Sequence, residues 1–238
     1  MKTRTPIITM IVTALIMFVS CNLIGENGSG NVIREERHVS SFNSIDVSGA
    51  FQVYLSQGST QSVIVEADDN LMKLIRTNVN GNTLEIDTKD PIHHSKALKI
   101  FLTVTDLKNI QLSGAVDIHT ETKLTFNDLS IDVSGATDSK MDISVQKLTV
   151  DCSGGSELHF TGSAKDVSFD VSGAVDLYAF DLVTEKMDLS ISGAGKADVN
   201  VSKELKADIS GAASVRYKGN PEKISKDVSG AGSISKAN

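Results

Sequence analysis

The chain has 238 residues, of which 40% are hydrophobic and 22% charged, and its formal net charge is −7 at pH 7. This acidic balance argues against a protein that binds nucleic acid or docks on anionic lipid through its surface charge. Two cysteines in the whole chain exclude a disulfide framework.

A secretory signal peptide is predicted over residues 1–20. Lys2 and Arg4 precede an apolar run over residues 7–19, which is short for a membrane-spanning helix. Cys21 follows directly, and this arrangement resembles a bacterial lipoprotein signal. The resemblance implies that Cys21 is lipidated and begins a mature chain of net charge −9, anchored in the cell envelope as an outer-membrane lipoprotein, facing either the periplasm or the outside. An ordinary signal peptide and an uncleaved anchor are the alternatives.

Residues 21–31 are predicted to be a flexible tether, because they are rich in Gly, Asn and Ser. Residues 32–238 then form a single domain, with an irregular capping part over 32–112 and regular repeats over 113–238. In the capping part, Asp68 and the two residues after it are predicted to cap a short helix that runs through Ile75. Asn80-Gly81 lies between two short strand patterns and indicates a hairpin.

One short phrase recurs eight times in the chain: a serine, a glycine, and then a small residue. From the second copy on, the serines are 21, 19, 19, 20, 18 and 19 residues apart. A period near twenty is typical of a solenoid, in which each repeat buries its apolar face only against its neighbours. The copies begin at Ser48, Ser113, Ser134, Ser153, Ser172, Ser192, Ser210 and Ser229.

Alternation around the phrase predicts strands with one buried face. The residue before each serine is apolar and the residue before that is polar, and in one repeat the alternation extends back through Ile131 to Leu129. Glycine suits the corner between two strands because it adopts positive φ without steric cost. Repeats of 18–21 residues leave little room for a crossover helix. The pattern therefore predicts an all-β fold, a parallel β-helix, and right-handed winding because about 98% of parallel crossovers are right-handed. A β-sandwich is the alternative, but its turns do not repeat one phrase at one phase.

Two rows of acidic side chains are predicted on the outer surface. Stacking would bring the members of a row within about 5 Å, where like charges repel. Solvent and hydrogen bonds to the serines could offset the repulsion; the alternative is Ca²⁺ held between coils by Asp132, Asp151 and Asp170. No other cofactor is predicted. The first row contains Asp46, Asp132, Asp151, Asp170, Asp208 and Asp227, and the second contains Asp117, Asp138, Glu157 and Asp176.

The other residues that could belong to a catalytic or metal-binding site are scattered along the sequence. Cys152 takes an inward position in its repeat and is predicted to be a buried small hydrophobe. His93-His94 stands alone as a metal-binding candidate, although adjacent residues on an extended chain point in opposite directions. Arg216-Tyr217-Lys218 matches one of several motifs of pectin-degrading hydrolases, and the companion motifs are absent. These residues predict no catalytic constellation.

The opening of the domain resembles a known family. Gly28-Ser29-Gly30-Asn31-Val32, the stretch 45–50, Gln57-Gly58 and the stretch 63–71 follow the pattern of the head GIN domain family, a group common in Bacteroidetes and named for auto-transporter adhesins. The resemblance covers about residues 28–235. It implies a β-helical extracytoplasmic protein and brings no catalytic residues with it.

The sequence thus predicts a non-enzymatic, lipid-anchored protein that displays a β-helical surface for adhesion or for binding an unknown protein or glycan partner, with oligomerisation left open. One alternative is a carbohydrate-active enzyme or carbohydrate-binding protein of the pectinase-like β-helix type. Another is a sensor or a periplasmic assembly partner.

Overall fold

Strands make up the regular structure of the part of the chain that the computed structural model describes, residues 25–237. Within that range there is no helix, and so no helical segment that could cross a bilayer. The predicted signal peptide and Cys21 lie outside the described residues. The strands are β1 Glu26–Asn27, β2 Val32–Glu36, β3 Ser44–Gly49, β4 Gln52–Gln57, β5 Ser62–Asp68, β6 Ile75–Asn80, β7 Thr83–Thr88, β8 Ile92–His94, β9 Leu98–Val104, β10 Asn109–Ala115, β11 Asp117–Thr120, β12 Leu124–Lys218, β13 Lys223–Gly230 and β14 Ser233–Lys236.

Successive copies of the phrase lie side by side in parallel register. In β10, Leu112 pairs with Val47 of β3 on one side and with Val133 of β12 on the other. At the far end of the stack, Ile209 of β12 pairs in the same way with Val228 of β13. Each repeat therefore pairs with the repeat before it and the repeat after it, and we call one repeat a coil. The predicted all-β fold is confirmed, and the parallel pairing between repeats is accompanied by antiparallel pairs near the N-terminus.

The glycines of the phrase stack directly on one another at the corner of each coil. Gly173 has a φ of 111°, and a Cβ added to it would lie 2.3 Å from the carbonyl oxygen of Gly154 in the preceding coil. A larger residue would both strain the backbone and collide with the neighbouring main chain. The same close approach explains the glycine in the seven copies from Gly114 to Gly230, whereas in the first copy Gly49 is required by its φ of 127°.

The core is built from the alternating apolar residues that face the inside of the coils. The residue before each serine from Val47 to Ile209 is at least 94% buried, and Cys152 lies among them as a free thiol. Burial of such side chains contributes about 1.5–3 kcal/mol each. The expectation that Cys152 is a buried small hydrophobe is confirmed, and burial raises the pKa of its thiol.

The N-terminal end is covered by antiparallel strands. Strand β5 pairs with both β2 and β9, and β6 pairs with β7 across a turn at Gly81, where φ is 60°. The predicted hairpin at Asn80-Gly81 is confirmed. These strands close one end of the stack, as a solenoid requires.

The helix predicted from Asp68 through Ile75 is wrong. Residues 69–74 form turns, in which Leu71 and Met72 donate backbone hydrogen bonds to the carbonyl of Asp68, and Ile75 begins β6. The physical reason is the use made of the Asp68 carboxylate. It is fully buried and accepts backbone N–H groups from distant residues, Gly30 at 2.6 Å and Lys96 at 2.7 Å, instead of capping a helix.

The prediction of a flexible tether over residues 21–31 is also wrong from Glu26 onward. Glu26 donates its backbone N–H to the carbonyl of Pro91 at 2.9 Å, and Gly28 donates to the carbonyl of His94 at 2.6 Å. Ser29 donates its hydroxyl to Asp69 at 2.5 Å. The Gly-, Asn- and Ser-rich composition indicates a tether. The hydrogen-bond partners could not be recognised from the sequence because they lie about 40–65 residues away. We call residues 25–31, with their partners at 68–70 and 90–97, the N-terminal clasp.

Within residues 25–237, no comparable strands cover the C-terminal end of the stack. Strand β13 is exposed along its whole length, with Ile224 and Val228 each 40% exposed. Lys226 stands between them in an inward row, since its register partner Ala207 is fully buried. The ammonium of Lys226 lies 4.8 Å from the ring centroid of Tyr217. A charge in an inward row is one way in which natural sheets blunt an open edge.

Candidate functional site

A groove runs along the stack beside the corner, and it is lined by the first acidic row. In six of the eight phrases an aspartate and a serine flank one inward residue, so both point outward on the same face; Gln111 and Ser190 replace the aspartate in the other two. We call this cavity the Ser groove. Its first part has a volume of about 460 Å³ and a second part of about 300 Å³ continues from Asp170. The acidic lining comprises Asp46, Asp132, Asp151, Asp170, Asp208 and Asp227, and the serines include Ser113, Ser134, Ser153, Ser172, Ser192, Ser210 and Ser229.

The middle of the Ser groove carries carboxylates without neutralising partners. Among the described residues, no lysine, arginine or histidine forms an ion pair with Asp132, Asp151 or Asp170. Further along, Asp208 does have a partner, because Lys206 Nζ lies 3.0 Å from its carboxylate. The central stretch therefore presents three successive carboxylates that are not neutralised by an ion pair with a described residue.

The protonation of two groove residues reflects this crowding. Burial and then the charge of Asp151 raise the pKa of Asp132. Burial raises the pKa of Asp46 as well, with Glu85 and Asp87 adding to the effect. Both ionised groups are disfavoured where they lie, so a cation in the groove would stabilise them.

The predicted calcium ligands are brought into one groove but not into a metal cage. Asp132, Asp151 and Asp170 line the same cavity. Within residues 25–237, however, no group of three or more His, Cys, Asp or Glu side chains is placed to hold a metal ion. Calcium takes six to eight oxygen ligands around one point, whereas these carboxylates follow one another along a row. The geometry does not favour the calcium alternative.

The second acidic row lines a separate groove on the other side of the stacked glycines, with a volume of about 690 Å³. Its charges have more partners than those of the Ser groove. Lys140 lies 3.6 Å from Asp138, His159 lies 2.7 Å from Glu157, and the carboxylate of Asp176 accepts the backbone N–H of Lys196 at 3.1 Å. The Ser groove is therefore the stronger candidate for binding a charged partner.

The hydrolase-like triplet serves the structure. Arg216 donates to Asp198, with its Nε 2.7 Å from the carboxylate, and Asp198 is 4% exposed. Arg216 and Lys218 both lie over the ring of Phe180. Tyr217, between them, is buried. The triplet is engaged in packing and ion pairing and is not gathered with acidic residues in a cleft.

His93-His94 belongs to β8, which pairs with β1. The backbone carbonyl of His94 accepts the N–H of Gly28 in the N-terminal clasp. The pair does not belong to any cluster of three metal-ligating groups in the described part of the chain.

The three tyrosines have their ring faces occupied. Tyr54 stacks on Phe101 with ring centroids 4.9 Å apart, and Tyr178 stacks on His159 at 4.5 Å. The ammonium of Lys226 lies over Tyr217. Sequence reasoning missed these pairings, although a row of rings one coil apart could have been found by aligning the repeats.

Comparisons with known proteins give a consistent picture. The family model described as "Putative auto-transporter adhesin, head GIN domain" matches residues 41–221. A crystal structure described as a "putative adhesin" from Bacteroides fragilis is 27% identical, covers 90% of this chain and 100% of its own, and has a TM-score of 0.84. A "putative lipid binding protein" from Parabacteroides distasonis is 26% identical over 90% of this chain and 99% of its own, with a TM-score of 0.72.

A "putative adhesin" from Parabacteroides merdae, 19% identical with a TM-score of 0.66, covers 90% of this chain and 99% of its own and shares the fold. No curated protein matches the chain.

Proposed function

The chain belongs to the head GIN domain family, and from this premise we propose that it is a non-enzymatic adhesion protein of the cell envelope that binds a cationic protein partner in the Ser groove. The observation that carries the proposal is the run of Asp132, Asp151 and Asp170 in one groove, where no basic side chain among residues 25–237 forms an ion pair with them. A partner that supplies lysine or arginine would relieve the repulsion and gain electrostatic complementarity.

A protein partner is favoured over a glycan by the state of the aromatic residues. A sugar ring that packs on a side chain needs a free aromatic face. The faces of Tyr54 and Tyr178 are stacked on Phe101 and His159. A basic segment needs only carboxylates and hydroxyls, and the Ser groove offers both along its length.

The finer architecture and the location belong to the same proposal. The coils form a parallel β-helix with right-handed winding, which is supported by the parallel register between repeats and by the handedness rule for parallel crossovers. The protein is a lipoprotein of the outer membrane, anchored through Cys21. This is supported by the leader pattern and by an adhesin-type family.

Binding of hexalysine, compared with hexaglutamate, tests the groove. We expect the wild type to bind hexalysine and not hexaglutamate, with an affinity that falls as salt rises. One triple variant removes the groove charges: Asp132→Asn, Asp151→Asn and Asp170→Asn. The matched control removes the same total charge from exposed positions outside the Ser groove: Asp128→Asn, Asp166→Asn and Asp181→Asn.

The proposal requires the groove variant to lose at least tenfold in affinity while the control stays within about twofold. Equal losses in the two variants would show that hexalysine senses only the overall charge, and the groove assignment would be wrong. A glycan screen in which a sugar binds the wild type and the groove variant equally would favour the carbohydrate-binding alternative instead.

A further inference from the structure

The N-terminal clasp fixes where the chain leaves the folded domain. Gly25 is packed so closely that an added Cβ would lie 2.8 Å from the carbonyl oxygen of Pro91 and 2.9 Å from the ring of His93. Glu26 and Gly28 then bond to the backbone of Pro91 and His94. The exit point is therefore held against the segment 90–94.

The N-terminal clasp is held by hydrogen bonds to the buried Asp68 carboxylate and to the Asn70 side chain. Asp68 is fully buried and its carboxylate accepts the backbone N–H groups of Gly30 and Lys96. The Asn70 side chain accepts the N–H of Ser29 at 2.8 Å and donates to the carbonyl of Asn27 at 2.8 Å. Releasing residues 25–31 would take the Gly30 N–H away from a buried carboxylate, which is costly even though Lys96 still donates to it.

Only four peptide steps separate Gly25 from Cys21. Fully extended, four residues span at most about 14 Å. Resting on the lipoprotein assignment of the proposed function, this length requires segment 90–94 to lie close to the membrane that holds the lipid of Cys21. A longer segment between Cys21 and the folded domain would let the domain rotate freely relative to the membrane. The N-terminal clasp shortens this segment and restricts the rotation.

The net charge of the coils disfavours contact between their long side and an anionic membrane. Residues 109–237 carry 13 Lys and Arg against 19 Asp and Glu. A bilayer with anionic phospholipid repels such a surface. The long side of the stack is therefore disfavoured against the membrane, and the end that holds the clasp is the part brought there by the covalent anchor.

We propose that the N-terminal clasp orients the domain end-on, with segment 90–94 against the bilayer surface and the coils projecting from it. The partner of this surface is the phospholipid bilayer itself. The Ser groove then runs away from the membrane, and β13 and β14 form the end that is farthest from it.

Energy transfer to the membrane tests this orientation. The full, lipidated chain is reconstituted in vesicles of phosphatidylethanolamine and phosphatidylglycerol that contain an acceptor-labelled lipid. In a Cys152→Val background, a donor dye is placed either at Asp90→Cys beside the clasp or at Lys236→Cys in β14; both positions are exposed. We expect transfer from position 90 to exceed transfer from position 236 at least threefold, and equal transfer from both would overturn the proposal.

Two further variants test whether the N-terminal clasp causes the end-on orientation. A flexible Gly-Ser insertion of about 30 residues between Asn22 and Leu23 should lower the transfer from position 90 while membrane association is unchanged. Gly28→Val should do the same, because a Cβ there would lie 2.5 Å from the Asp68 carboxyl carbon, and a melting curve reports whether the domain stays folded. Unchanged transfer from position 90 in the insertion variant would contradict the proposal.

Membrane association of the wild type and of Cys21→Ser separates this inference from the one on which it rests. If Cys21→Ser associates with vesicles as strongly as the wild type, the lipid anchor is wrong. If only the wild type associates but positions 90 and 236 transfer equally, the anchor holds and the end-on orientation is wrong.

Discussion

Replacing Gly173 with alanine adds one methyl group at a stacked corner that has no room for it. The added Cβ would lie 2.3 Å from the carbonyl oxygen and 3.1 Å from the backbone nitrogen of Gly154, and the φ of Gly173 is 111°. Backbone strain of this kind costs about 1–3 kcal/mol. The obstructing atoms are main chain in the adjacent coil, so they cannot rotate away as a side chain would. We expect the free energy of unfolding to fall by about 3–5 kcal/mol, at the upper end for single substitutions.

Alanine substitutions at two other glycines separate the cost of backbone strain from the cost of the steric overlap with the adjacent coil. Gly81 has a φ of 60° with no atom within 4 Å of an added Cβ, so Gly81→Ala should cost only the strain of a left-handed residue, about 1–2 kcal/mol. Gly155 replaces the alanine of the other seven phrases, and its nearest atom would be 3.9 Å away. Gly155→Ala should be neutral or stabilise by about 0.4–1 kcal/mol.

Urea denaturation of the purified variants measures the three free energies under one set of conditions. The reasoning predicts a clear order, with Gly155→Ala highest, Gly81→Ala lower and Gly173→Ala lowest. If Gly173→Ala loses no more than Gly81→Ala, the stacked backbone yields to a methyl group and the steric argument is refuted.

Three further predictions concern charged residues. Lys226→Val should make the protein self-associate in sedimentation experiments, because it completes an apolar inward row at the exposed end, whereas Lys223→Val, at an outward position of the same strand, should not; monomers in both cases would contradict this. The raised pKa of Asp132 means that its ionised form destabilises the fold, so Asp132→Asn should gain about 0.2–1 kcal/mol at pH 7 and the gain should vanish below about pH 4, as followed by denaturation at each pH. Burial alone would raise the pKa of Asp68, but hydrogen bonds from the backbone of Lys96, Gly30 and Ala97 lower it overall, so its stabilisation is present at neutral pH and is lost as the pH falls below about 4. Asp68→Asn should cost about 1–3 kcal/mol at pH 7 and progressively less in acid; a cost that does not change with pH would show that the charge is irrelevant.

The coils were predictable from the sequence because equivalent residues of successive sequence repeats contact one another. The residue before the serine in one phrase lies beside its equivalent in the next, so counting from Leu112 to Val133 predicts a real contact. The same counting places Asp132 and Asp151 in one row, and the effect of one charge on the pKa of the other follows from that row. That the row lines a groove could not be read from spacing, because it depends on how sharply the chain bends at the corner.

The N-terminal part was harder to predict because its partners are distant and unlike one another. Asp68 has the local pattern of a helix cap, but the donors it meets come from Gly30 and Lys96. No periodicity connects these residues.

Lys226, at the C-terminal end, is a different case, since it stands between Ile224 and Val228 in an alternating pattern and could have been recognised as an inward charge.

The register of one phrase upon the next also limits how the length of this protein can change. Removing residues 154–172 would join Ser153 to Gly173 and delete one coil, leaving every inward and outward row in order. Removing a single residue from a strand would instead turn the following side chains to the opposite face. Evolution can therefore lengthen or shorten such a domain in units of a coil, and each added coil extends the groove by about 4.8 Å without redesign of what is already there.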